Sequence, residues 1–153
     1  MNLSGSQFIL FPSDLSERSG ACFRQILDHL GDREVVLLVL HCYRLIGQAS
    51  DSMSLKEQLE QQAKQDFERW VADLPSHTNV DIRFEAVPGF YRNRITSAAQ
   101  KYPVDLLVLC GQILSELGPT EMEAMEGLRT ISCNMLLVPD SFENGVLRTA
   151  SVG

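Results

Sequence analysis

Three short stretches in this chain are built on unbroken apolar runs: Phe8-Ile9-Leu10-Phe11, Val35-Val36-Leu37-Leu38-Val39-Leu40 within a strand expected from Glu34 to His41, and Leu106-Leu107-Val108-Leu109-Cys110 within one expected from Val104 to Cys110. Each is too short for a helix and none alternates, so each reads as a strand covered on both faces. Such strands belong to parallel sheets, because the crossover joining two parallel strands lays a helix against the sheet. Met135-Leu136-Leu137-Val138 is a further, closing strand of the same character. Val80-Asp81-Ile82-Arg83-Phe84-Glu85-Ala86-Val87 behaves differently, since apolar and polar residues alternate along it. A period of two leaves one face wet and places that strand at a sheet edge.

Helical patterns fill the gaps. Leu15, Cys22, Phe23, Ile26, Leu27 and Leu30 form one apolar stripe, and Gly31 supplies a residue able to close the helix in the left-handed region. Leu55, Leu59, Ala63, Phe67, Trp70, Val71 and Leu74 form a second stripe, ended by Pro75; Trp70 lies on it and reads as core. Ile95, Ala98, Ala99 and Tyr102 mark a third helix before Pro103, and Met122, Met125 and Leu128 a fourth in a glutamate-rich stretch. Strands alternating with helices through right-handed crossovers predict a single-domain, doubly wound α/β sheet of five parallel strands, Rossmann-like in class. The domain spans 1–139, and the polar stretch 140–153, with its Gly, Ser and Thr, reads as a loose tail.

Charge and composition restrict the function. A net charge of -7 opposes nucleic acids and anionic membranes, which require a basic face. Met1–Gln7 is polar with no apolar run behind it, and no stretch is long enough to span a bilayer, so the expected location is the cytoplasm. Cys22, Cys42, Cys110 and Cys133 lie far apart without a Cys-x-x-Cys pair, which predicts neither zinc nor a disulfide framework. His41, at the end of the second strand, has no candidate nucleophile nearby in sequence and reads as an ordinary strand-end histidine. No catalytic constellation and no metal-ligand set stands out.

The turn after the first strand is the most informative local sequence. Pro12 ends the strand; Asp14 and Ser16 are both good helix N-caps, and Glu17 stands three residues after Asp14, as in a capping box. Ligands of open parallel sheets collect at such strand ends.

Ile9-Leu10-Phe11-Pro12-Ser13-Asp14-Leu15-Ser16 resembles the opening of the universal stress protein domain. Leu38-Val39-Leu40-His41 is similar to that family's second strand, and Val87-Pro88-Gly89 followed by Ile95 to its third strand, glycine turn and helix. Asp105-Leu106-Leu107-Val108-Leu109-Cys110-Gly111 resembles its fourth strand, and Met135-Leu136-Leu137-Val138-Pro139 its closing strand. The resemblance spans about residues 7 to 139, with the motifs in order. It implies strand order 3-2-1-4-5, as in adenine nucleotide alpha hydrolase-like folds. It also implies a homodimer through the last strand, Met135, Leu136, Leu137 and Val138, which is apolar and would otherwise be an open edge.

One branch of that family binds ATP through Gly-x2-Gly-x9-Gly and a following Ser or Thr, where glycines let backbone N–H groups approach phosphates. Gly111 fits the first glycine, but the next positions hold Leu114, Ala124 and Met125. Glu116, Glu121, Glu123 and Glu126 surround the stretch, with Arg129 alone opposing them. Asp14, Cys42 and Gly89 match family positions near the adenosine, so Asp14, Cys42, Gly89 and Gly111 form a remnant nucleotide site, with Arg92 and Arg94 as nearby positive charge. The resulting expectation is a dimeric regulatory or interaction module of the branch without ATP, needing no cofactor and not an enzyme. The alternatives are a binder of AMP or ATP with a degenerate loop and, more remotely, a small nucleotide hydrolase.

Overall fold

The structure is a computed structural model that describes residues 7–45, 52–72, 74, 79–138 and 148–151. Its elements in chain order are β1 (Gln7–Pro12), α1 (Glu17–Leu30), β2 (Val35–Tyr43), α2 (Ser52–Ala72) and β3 (Val80–Pro88). There follow α3 (Tyr91–Lys101), β4 (Leu106–Cys110), α4 (Gly111–Leu117), α5 (Glu121–Gly127), β5 (Asn134–Val138) and β6 (Arg148–Ser151). The sheet order is β3-β2-β1-β4-β5-β6; β1 to β5 run parallel in the order 3-2-1-4-5, and β6 is antiparallel to β5.

The strands with continuous apolar runs are central and covered on both faces. On one face Ile9, Phe11, Leu37, Val39, Val108 and Cys110 meet Phe23, Ile26 and Leu27 of α1, with Phe67 and Trp70 of α2 against them. On the other, Leu10, Leu38, Leu40, Leu107, Leu109, Met135 and Leu137 meet Ile95 of α3, Ile113 and Leu117 of α4 and Ala124 of α5. Full burial of each large side chain stabilises the fold by about 1.5–3 kcal/mol before conformational entropy is counted. β3 is an edge strand, as its alternation predicts: Asp81 and Arg83 are exposed and pair at 2.9 Å, and Phe84 stacks on Phe67 with ring centroids 4.4 Å apart.

Local signals set the element ends with small shifts. Asp105 precedes β4 rather than joining it, because its backbone N–H donates to Phe8 O and its carboxylate accepts from Phe8 N, both at 2.8 Å. Gly31 closes α1 at φ 59, as its freedom from a side chain allows. The glutamate-rich stretch forms two helices, α4 and α5, instead of one. Met122, placed on an apolar stripe by spacing, is 81% exposed; Ala124 and Leu128 are the buried residues, with Met125 partly buried.

The C-terminal stretch departs most from expectation. Met135 to Leu137 do not form a free edge, because Leu137 lies opposite Arg148, Leu136 opposite Thr149 and Met135 opposite Ala150. An apolar edge with unpaired backbone groups gains a ladder of hydrogen bonds from any extended segment that can reach it, and short polar residues do not prevent this. Arg148–Ser151 is therefore a strand of the sheet and not a loose tail; the remainder of 139–153 lies outside the described residues.

Candidate functional site at the strand ends

The turn from β1 into α1 is built by its own hydroxyls and carboxylate. Ser16, not Asp14, is the N-cap of α1: its hydroxyl accepts from Ser19 N at 3.2 Å. The capping box expected from Asp14 and Glu17 is absent because the helix begins at Glu17 itself. Asp14 Oδ1 instead accepts from Ser16 N at 3.0 Å, and Ser13 Oγ accepts from Leu15 N at 2.9 Å and meets Ser19 Oγ at 2.6 Å. Between these bonds Leu15 sits at φ 61, a left-handed conformation that disfavours a bulky side chain by roughly 1–2 kcal/mol. The bonds of Ser13, Asp14 and Ser16 around it hold this conformation in place.

The ends of β2 and β3 are tied to that turn. Ser13 N donates to Leu40 O at 2.9 Å, the Tyr91 hydroxyl donates to Ser13 O at 2.8 Å, and His41 Nδ1 lies 3.0 Å from the same oxygen. His41 thus braces the turn, in line with its reading as an ordinary strand-end residue. Gly89 turns the chain from β3 into α3 at φ 130, where a side chain would be strained. A Cβ there would also stand 2.9 Å from Arg94 Nε, which donates to Pro88 O at 2.6 Å.

These contacts bring three of the four expected residues toward one region. Tyr91 is its hub: burial above all, then the charges of Cys42, Glu116 and Asp14, push its hydroxyl's pKa up, while a backbone hydrogen bond from Cys42 lowers it. Burial likewise pushes the Cys42 thiol up to about 12, with nearby Arg94 opposing and Glu116 adding to the rise. A thiol so held is protonated at neutral pH and is no nucleophile. Above, Arg44 spans from the end of β2 toward α4, its guanidinium 4.7 Å from the centre of the exposed Phe90 ring and 3.9 Å from the Glu116 carboxylate. The arrangement offers an aromatic face, two guanidinium groups and carboxylates. Sequence reading missed Tyr91, Arg44 and Phe90 and saw Glu116 only as a charge near the expected phosphate stretch; their meeting depends on the sheet order rather than on any local motif.

Gly111, the fourth expected residue, follows β4 directly and is the first residue of α4. The backbone after it is helical, and at the far end of that helix Gly118 N donates to Leu114 O at 3.3 Å. Leu114 packs against the core, Ala124 is fully buried and its N–H bonds Thr120 O at 3.0 Å. Arg92 donates to Leu117 O and lies against Gly127, where a Cβ would stand 2.8 Å from its Nε. Arg129 pairs with Glu126 at 2.9 Å.

The same order of strands and helices is found in the universal stress protein UspA from Lactobacillus plantarum, with a TM-score of 0.60 and 18% identity over 88% of this chain and 99% of that one. The fold is that of the universal stress proteins. Hypothetical protein MJ0577 is similar at a TM-score of 0.66 and 20% identity, covering 87% of this chain and 95% of its own. A universal stress protein solved in complex with cAMP matches at 0.53 and 18% identity, over 90% of this chain and all of its own, 100%. No family model and no curated protein sequence matches the chain. No helix among the described residues is long and apolar enough to cross a membrane.

Proposed function

We propose that the chain is a universal stress protein-like regulatory or interaction module of the cytoplasm that does not take ATP. The observation carrying this reading is the packing of Leu114 and Ala124 against the core, at positions where a phosphate loop needs glycine. Glycine lets backbone N–H groups approach a phosphate closely, and a side chain packed into the core at those positions opposes that approach. Leu114 and Ala124 are anchored in the core, which opposes re-forming the segment as a loop. Glu116, Glu123 and Glu126 add negative charge, and their cationic neighbours Arg44 and Arg129 already face Glu116 and Glu126.

Thermal unfolding in MgATP tests the reading. A ligand at one hundred times its Kd stabilises the native state by about 2.7 kcal/mol, or roughly 5–10 °C in Tm for a domain of this size. The expected shift is below 1 °C at millimolar MgATP, by order of magnitude. A saturable rise of several degrees overturns the proposal.

A second reading, a nucleotide with fewer phosphates, draws on the cluster of Asp14, Cys42 and Gly89 and on the cAMP complex of one similar structure. Arg44, Arg94 and the exposed ring of Phe90 supply a cation and a stacking face for such a ligand. Calorimetric titration with AMP and with cAMP distinguishes this reading from the first.

A further inference from the structure

The four cysteines divide between the two faces of the sheet. Cys42 belongs to the core on the α3 side and Cys133 packs against it, whereas Cys22 and Cys110 belong to the core on the α1 side. Cys22 lies on the buried stripe of α1, Cys110 is the last residue of β4, and their sulfurs are 3.1 Å apart across 88 positions of sequence. A sulfur–sulfur bond is about 2.05 Å long, so closing it requires an approach of about 1 Å. Both side chains are buried, and neither Cys42 nor Cys133 shares their face.

We propose that Cys22 and Cys110 are an oxidation site, a dithiol that closes to an intramolecular disulfide on exposure to a hydroperoxide. One thiol loses its proton and attacks the peroxide O–O bond, which breaks to release an alcohol, or water from hydrogen peroxide, and leaves a sulfenic acid. The second sulfur then displaces the hydroxyl, which leaves as water with that thiol's proton. Two thiols and one hydroperoxide give one disulfide, one alcohol and one water; the sulfurs lose two electrons and the O–O bond accepts them.

The geometry determines the character of this site. The hydrogen bond with Cys22 and burial keep the Cys110 thiol protonated far above the usual range, so attack waits on opening of α1 from the sheet. Reaction is therefore slow, and the product, once formed, is shielded. The bond would fasten α1 to β4 one residue before Gly111. It would also sit beside Ser19, whose hydroxyl meets Ser13 in the β1 turn.

The test exposes the full chain to millimolar hydrogen peroxide, blocks remaining thiols under denaturing conditions and maps the peptides by mass spectrometry without reduction. The expected product is the Cys22 peptide joined to the Cys110 peptide, lighter by two hydrogens than the separate thiols. Closing a loop of this length raises Tm by on the order of 10 °C, reversibly with dithiothreitol. Both cysteines blocked as free thiols after treatment that oxidises the partly exposed Cys133 would overturn the proposal, and so would cross-links formed only between chains. The same rise of Tm in a Cys22→Ala variant would also refute it.

Discussion

Gly20 sits inside α1, where alanine normally favours a helix by about 0.8–1.0 kcal/mol. On propensity alone Gly20→Ala is a stabilising change. The structure reverses the sign. A Cβ at this position would stand 2.6 Å from Nε1 of Trp70 and 3.2 Å from its Cδ1. The indole has nowhere easy to go: Nε1 donates to Ser16 O at 3.1 Å, and the ring lies 4.6 Å from Phe23 and 6.2 Å from Phe11 and from Phe67. Overpacking of a filled site costs about 1–3 kcal/mol, and loss of the indole hydrogen bond about 1 kcal/mol more. Against the helix gain, the net is a destabilisation of about 1–3 kcal/mol, or roughly 2–12 °C in Tm. Trp70 is the single tryptophan, so its emission reports the displacement directly, shifting to the red as the ring gains water. In a double-mutant cycle, Trp70→Phe removes the clashing edge, and Gly20→Ala should then become neutral or favourable. A Tm for Gly20→Ala at or above that of the parent, with unchanged emission, would refute the close packing of α1 on α2.

Two further outcomes follow from the strand ends and the sheet edge. Cys42 titrates at about 12 in the folded chain against 9.0 as its ordinary value, so the unfolded state loses its proton first; its stabilisation is complete below pH 9 and is lost as pH rises toward 12. Denaturant titrations at pH 8 and pH 10.5 should show a fall in stability that Cys42→Ala reduces by about 2 kcal/mol, and an equal fall in both proteins would contradict the assignment. Truncation after Val138 removes β6 and opens the apolar edge of β5, so the shortened chain should pair through Met135–Val138 into dimers at micromolar concentration, by order of magnitude. Light scattering that finds it monomeric would show that β6 is not what guards this edge.

The strands were legible because full burial demands an unbroken apolar run, and Phe8–Phe11, Val35–Leu40 and Leu106–Cys110 each have one. The edge position of β3 was equally plain from the alternation of Val80 to Val87. Helix ends were less so. Asp14 and Ser16 are both competent caps, and the choice fell to Ser16 because Asp14 is drawn into the turn by Ser16 N. Met122 misled because spacing shows which residues share a face but not which face meets the core. β6 was not legible, since its place rests on an unpaired neighbour across the sheet and not on its own polar sequence. The same holds for the strand-end cluster, where Arg44, Phe90, Tyr91 and Glu116 meet only after three crossovers have been made.

The strands and the segment after Gly111 differ in what they can demand of a sequence. A doubly wound sheet asks of its strands only that they be apolar on both faces and of suitable length, a demand that many sequences meet. A phosphate cradle asks for particular backbone conformations at particular positions, which glycine alone provides cheaply. This chain keeps the first and, after Gly111, has Leu114, Ala124 and Leu128 turned into the core beneath α4 and α5. Those residues make that segment part of the hydrophobic layer over Leu107, Leu109 and Met135. Restoring glycine at 114 and 124 would therefore remove core volume without freeing the backbone, because helix and core still hold the remaining residues in place. The side chains that stabilise the fold at this point are Leu114, Ala124 and Leu128, whereas Asp14, Arg44, Phe90 and Arg94 lie outside that layer.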